Sequence, residues 1–100
     1  MTAKIWFVYM IRTSDGQLYT GITTDIQRRW QEHNSGKGGA RYFRAHKPEC
    51  LCLSEEHPNR SEASKREAEI KKLTKMAKEA LVAKHQLMVK IVSIKDSATK

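Results

Sequence analysis

The segment Ile5-Trp6-Phe7-Val8-Tyr9-Met10-Ile11-Arg12-Thr13-Ser14-Asp15-Gly16-Gln17-Leu18-Tyr19-Thr20-Gly21-Ile22 decides how this chain folds. Its first seven residues are apolar and rich in β-formers, the composition of a strand covered on both faces. Thr13-Ser14-Asp15-Gly16 is turn chemistry. Leu18 to Ile22 forms a second short strand, so the two make an antiparallel hairpin. Loop length then sets which side chains share a face. A two-residue Asp15-Gly16 loop pairs Thr13 with Leu18 and puts Tyr9 and Tyr19 on opposite faces. A three-residue Ser14-Asp15-Gly16 loop, with Gly16 left-handed, pairs Thr13 with Gln17 and puts both tyrosines on one face. Sequence alone does not choose between them.

Downstream, Thr24-Asp25-Ile26-Gln27 fits a capping box with Thr24 as N-cap. A helix is expected from there to about Asn34, with Ile26 and Trp30 toward the core and Arg29 and His33 on a neighbouring stripe. Gly36, Gly38 and Gly39 end it and open a basic loop. Glu49 to Ser54 is expected as a third strand. Asn59 or Ser61 caps a second helix to about Leu73, and a third runs from about Lys75 to Met88, with Ala77, Ala80, Leu81, Lys84 and Leu87 at helical spacing. These elements predict an α+β fold, a small antiparallel sheet flanked by helices. The expected domain spans residues 4–88, followed by a loosely held tail, 89–100.

One hundred residues with 39% apolar content suffice for one modest core. No apolar run approaches the ~20 residues of a membrane span. Met1-Thr2-Ala3-Lys4 leads straight into the first strand without a signal-peptide pattern, so a cytoplasmic protein is expected, with no membrane partner. Cys50 and Cys52 are too close for good disulfide geometry and have no second Cys or His pair to complete a zinc site. They are expected reduced, and on one face if that segment is a strand. Net charge is +8, and its excess is uneven. Arg28 to Lys47 holds six basic residues against Glu32 alone. Such a field attracts polyanions, nucleic acid foremost.

On the second helix Glu67 falls on the stripe of Ala63 and Ile70. A lone inward carboxylate is costly unless it meets a cation, a metal or water, and Arg29 and Lys71 are candidate partners.

Phe7-Val8-Tyr9, then ten residues from tyrosine to tyrosine, then Tyr19-Thr20-Gly21 resembles the paired tripeptides that name the GIY-YIG nuclease superfamily. Both tyrosines and the second glycine match; Phe7 replaces the first glycine, and Val8 and Thr20 the isoleucines. The family's helix arginine falls on Arg29, its histidine or tyrosine one turn later on His33, and its metal-ligating glutamate on Glu67. Glu32-His33-Asn34-Ser35-Gly36-Lys37-Gly38 further resembles the small single-domain bacterial branch. In several members a lysine follows the second glycine, and here that position is Ile22.

The resemblance implies metal-dependent phosphodiester cleavage in DNA. Mg²⁺ or Mn²⁺ would bind Glu67, and Arg29 would stabilise transition-state charge. Tyr9 is the favoured base with Tyr19 orienting water or phosphate, and the reverse assignment stays open. With no lysine at position 22, Arg28 or Lys37 is the expected substitute cation. Gly21, Lys37, Arg41, Tyr42, Arg44 and Lys71 are the expected nucleic-acid contacts. A chain this size has no room for a separate DNA-binding domain. Little sequence specificity is therefore expected, with structure selectivity or a partner protein supplying any choice, a role suited to DNA repair or processing; RNA is left open as a substrate. The alternative is a non-catalytic nucleic-acid-binding module on a degenerate scaffold.

Overall fold

The computed structural model describes the backbone of residues 4–98 and the side chains of residues 4–90. Three antiparallel strands form one sheet in the order β2-β1-β3, with β1 at Trp6–Thr13, β2 at Leu18–Thr23 and β3 at Pro48–His57. The continuously apolar strand is therefore central. It carries Val8 and Met10 into a core on one face and Tyr9 and Ile11 into a core on the other.

The hairpin takes the three-residue loop. Gly16 is left-handed at φ +82°, its N–H donates to Thr13 O at 3.0 Å, and Thr13 N–H donates to Gln17 O at 2.9 Å. Ile11 consequently faces Tyr19, and Tyr9 faces Gly21. Both tyrosines lie on one face of the sheet.

β3 runs three residues past the expected Ser54 and meets β1 with two irregularities. Met10 pairs with Leu53 but Ile11 with Leu51, so Cys52 is the extra residue of a bulge. The bulge breaks the two-residue alternation. Cys52 is buried and Cys50 exposed, both as free thiols, which corrects the expectation of a shared face. Burial pushes the Cys52 thiol up to about 11.

Helix α1, Ile26–Ser35, is capped one residue later than the sequence suggested. Asp25, not Thr24, accepts the Arg28 N–H at 3.0 Å, because Thr23 Oγ1 takes the Asp25 N–H at 3.1 Å and turns the chain there. The helix stops at Gly36, left-handed at φ +77°. Ile26 and Trp30 are only half-buried, and the buried residue of α1 is His33. A 3-10 helix, Arg41–Arg44, closes over the same face through Phe43.

The other face is covered by α2, Arg60–Lys71, and α3, Lys75–Ala98. Asn59 caps α2 by accepting the Glu62 N–H at 2.9 Å, and Ala63 and Ile70 are fully buried beneath it. The α3 helix continues through residue 88 to Ala98 without a break at the expected domain boundary. Among the described side chains of α3 the buried one is Val82, supported by half-buried Leu81, while Ala80, Lys84 and Leu87 are exposed. The periodicity misplaced this face because α3 touches the sheet along its edge strand over a short stretch. A fork of two hydrogen bonds, 2.8 and 2.6 Å, from Arg12 to Glu79 ties α3 to the central strand. Among the described residues no helix is long and apolar enough to cross a membrane.

Candidate active site

Four of the side chains singled out in the sequence meet on the α1 side of the sheet. β1 supplies Tyr9, β2 Tyr19, and consecutive turns of α1 Arg29 and His33. The Tyr9 Oη lies 2.8 Å from His33 Nε2, and the two tyrosine rings sit 6.2 Å apart. The Tyr19 ring packs edge-on against both His33, at 5.6 Å, and Phe43, at 4.8 Å. Tyr9 and His33 are each 2% exposed, so this hydrogen bond is shielded from water.

Gly21 makes that arrangement possible. A Cβ there would stand 2.5 Å from the Tyr9 hydroxyl oxygen and 2.7 Å from Cζ. The bare backbone of β2 is thus the bed on which the Tyr9 ring lies. The close approach expected for a ligand is made instead by a side chain of the site itself.

Arg29 donates from Nη1 to Glu32 Oε1 and to the Gly38 carbonyl, both at 2.9 Å. Its guanidinium is near enough to the Tyr9 phenol to favour that group's ionised form. Burial pushes the Tyr9 hydroxyl up to about 12, Tyr19 adds to the rise, and Arg29 opposes it. Neither Arg28 nor Lys37 bears on that hydroxyl. Both are exposed, and Arg29 is the cation that bears on Tyr9. Beside Arg29 a cleft of about 250 Å³, lined by Trp6, Ile22, Thr23, Thr24, Arg28 and Glu32 with it, wraps the free edge of β2.

Burial, helped by Arg29, lowers the His33 pKa to about 4. The folded protein therefore takes up this proton less readily than the unfolded chain, whose histidine titrates near 6.5. Stability from this source is complete above about pH 6.5 and drains away as pH falls toward 4, by up to about 3 kcal/mol. Urea titrations of the protein and of His33→Gln should diverge across that window. Parallel curves would contradict a buried neutral imidazole.

Glu67 arrives from the opposite side. It stands on α2 between Ala63 and Ile70, which pack into the Val8–Met10 core. Its side chain is 23% exposed, with the carboxylate 3.2 Å from Lys71 Nζ. Of the two cations named in the sequence reading, Lys71 is thus the partner. Among the described residues no three His, Cys, Asp or Glu side chains cluster as a metal site. One half-exposed carboxylate is still the donor set that suits a largely hydrated Mg²⁺, which binds through one or two protein oxygens and keeps its waters.

Of the expected nucleic-acid contacts, Lys37, Arg41 and Arg44 are exposed. Lys71 is engaged by Glu67. Tyr42 stacks on His46 at 4.4 Å, and His46 Nδ1 is 2.6 Å from Asp15. Sequence reasoning missed this Asp15–His46–Tyr42 group, which joins the hairpin turn to the 3-10 helix. Nor did it place Phe43, Gly39 and Ala40 of the glycine-rich loop around His33.

Two tyrosines and a glycine from an antiparallel hairpin, with an arginine and histidine from the following helix, define a class. The chain belongs to the GIY-YIG family of catalytic domains, whose family model matches residues 5–80. Its relatives are more particular. It is 54% identical over 77 residues to the UPF0213 protein DP2720 of Desulfotalea psychrophila, covering 77% of this chain and 70% of that one. It is 47% identical over 88 residues to the UPF0213 protein YhbQ of Escherichia coli, covering 88% and 87% of the two chains. The solution NMR structure of the UPF0213 protein BH0048 from Bacillus halodurans matches with a TM-score of 0.52 at 42% identity, over 79% of this chain and 83% of that one.

Proposed function

We propose that this protein is a divalent-metal-dependent endonuclease that hydrolyses phosphodiester bonds in DNA with little sequence specificity, in repair or processing. The observation that carries the reading is the convergence of Tyr9, Tyr19 and His33 behind Arg29, which itself lines a cleft on the free edge of β2. A guanidinium there can grip a phosphate through two parallel hydrogen bonds and stabilise the extra negative charge of the five-coordinate transition state. Glu32 shares that guanidinium and keeps it extended toward the cleft. Tyr9, in its phenolate form beside the Arg29 cation, takes the proton of the attacking water as the bond to the leaving sugar oxygen breaks, and His33 holds the ring in place. Tyr19, half-exposed beside it, orients water or phosphate. Glu67, on the α2 side, would hold a hydrated Mg²⁺ or Mn²⁺, which when bound supplies charge neutralisation to a substrate backbone that spans the edge of β2. Lys37, Arg41 and Arg44 present exposed charge to the backbone of the nucleic acid.

The deciding experiment incubates the purified protein with single-stranded, duplex, nicked and branched DNA, and with RNA, in Mg²⁺, Mn²⁺ or chelator. Strand cleavage that needs the metal and is lost in Glu67→Ala is the expected result. The hydroxyl of Tyr9, pushed up to about 12, favours one other reading: a binding module without turnover. That reading requires salt-sensitive DNA binding, falling steeply as salt rises, with no cleavage under any metal condition.

A further inference from the structure

The loop after α1 touches both functional side chains of that helix through its main chain. The Gly38 carbonyl accepts from Arg29 at 2.9 Å. Two residues on, the Ala40 N–H donates to His33 Nδ1 at 3.0 Å. Gly39, between them, is pressed onto the helix: a Cβ there would stand 2.6 Å from the Glu32 carbonyl oxygen and 2.7 Å from His33 Cα. Those are backbone atoms, which cannot swing aside. Gly38 itself is left-handed at φ +76°, a conformation that glycine adopts freely.

A main-chain amide can only donate. The Nδ1 that faces it must therefore offer a lone pair, and a neutral imidazole then carries its proton on Nε2. That nitrogen is the one 2.8 Å from Tyr9. We propose that the Ala40 amide is a positioning group that locks His33 as the Nε2–H tautomer, making the imidazole the donor and the Tyr9 oxygen the acceptor of their buried hydrogen bond. The inference rests on the nuclease reading for its consequence but not for its geometry.

The consequence concerns the Tyr9 proton. With His33 donating, the Tyr9 O–H is directed away from the imidazole. Arg29, beside it, is itself only a donor, and Tyr19 is the other phenol that bears on it. The hydroxyl proton is left for an acceptor other than the imidazole, and the phenol oxygen is held by a donor that favours its ionised form. His33 cannot be the acceptor to which Tyr9 passes a proton. A compact Gly-Gly-Ala turn thus orients the arginine, fixes the histidine and sets the direction of the tyrosine hydroxyl.

The test is a two-bond ¹H–¹⁵N correlation spectrum of the ¹⁵N-histidine-labelled protein at neutral pH. The pattern of a single Nε2–H tautomer for His33 is expected; an Nδ1–H pattern overturns the proposal whatever the activity. Ala40→Pro then removes the donor at a residue whose φ of −62° suits proline. It should abolish the single-tautomer pattern and lower kcat about tenfold, the scale of an outer partner of a functional histidine, with KM for DNA little changed. Ala40→Ser, which keeps the amide, should retain both. An Ala40→Pro protein that keeps the single Nε2–H pattern overturns the assignment of the lock to Ala40. If that variant does not fold, the wild-type spectrum decides. Absence of cleavage by the wild-type protein, with the Nε2–H pattern present, defeats the nuclease reading and leaves the lock standing.

Discussion

Arg29→Ala is expected to lower metal-dependent strand cleavage by about two to three orders of magnitude, the loss typical of removing one transition-state donor. The effect on folding should be small. Arg29 is half-buried, and its partner Glu32 is also partly exposed, so their pairing contributes at most about 1 kcal/mol. The link to the Gly38 carbonyl adds another hydrogen bond of similar size. Activity lost while the melting temperature moves by only a few degrees is therefore the signature. Arg29→Lys keeps the charge but not the planar fork, and should recover only part of the rate. Glu32→Gln releases the guanidinium from its ion pair and should leave cleavage within a few-fold of wild type. Rate assays on the three variants beside thermal melts check the set. Full activity in Arg29→Ala would remove the group on which phosphate binding rests.

Gly21→Ala should damage both folding and chemistry with a single methyl group. The new Cβ would be 2.5 Å from the Tyr9 hydroxyl, and the Tyr9 ring is enclosed by Tyr19, His33 and the sheet. The ring must leave its bed, breaking the buried bond to His33. Overpacking together with a stranded polar pair costs about 2–4 kcal/mol. For a chain of this length that lowers the melting temperature by roughly 10–20 °C. The cause can be isolated with a double-mutant cycle. In a Tyr9→Leu background the smaller side chain leaves the space, so Gly21→Ala should cost much less than it does in wild type. Equal costs in the two backgrounds would mean that the glycine serves some other purpose.

The hairpin, the helix order and a cap at Asn59 or Ser61 were legible because each rests on local chemistry: a β-rich run, a turn, a side chain that caps its own helix. The paired tripeptides also pointed to Arg29, His33 and Glu67. Other features depended on atoms far apart in the chain. The bulge that turns Cys52 inward exists only because β3 must stay in register with β1 around Met10 and Ile11. The cap moved from Thr24 to Asp25 because Thr23, at the end of a strand, already holds the Asp25 amide. The face of α3 was misread because apolar spacing does not say how much of a helix meets the sheet; Leu87 is 58% exposed and Val82 is buried.

By itself, then, the sequence determined a basic α+β domain begun by a hairpin, and the residue pattern that marks the GIY-YIG family. It did so because strand composition, turn residues and helix caps act over a few neighbours. Tertiary structure alone decided that Tyr9 and Tyr19 share a face, since one loop residue more or less reverses every side chain of the second strand. Tertiary structure alone also put Glu67 on the far side of the sheet from Arg29, and set the Ala40 amide against His33. Those are contacts between elements, and their geometry comes from packing that no local pattern encodes.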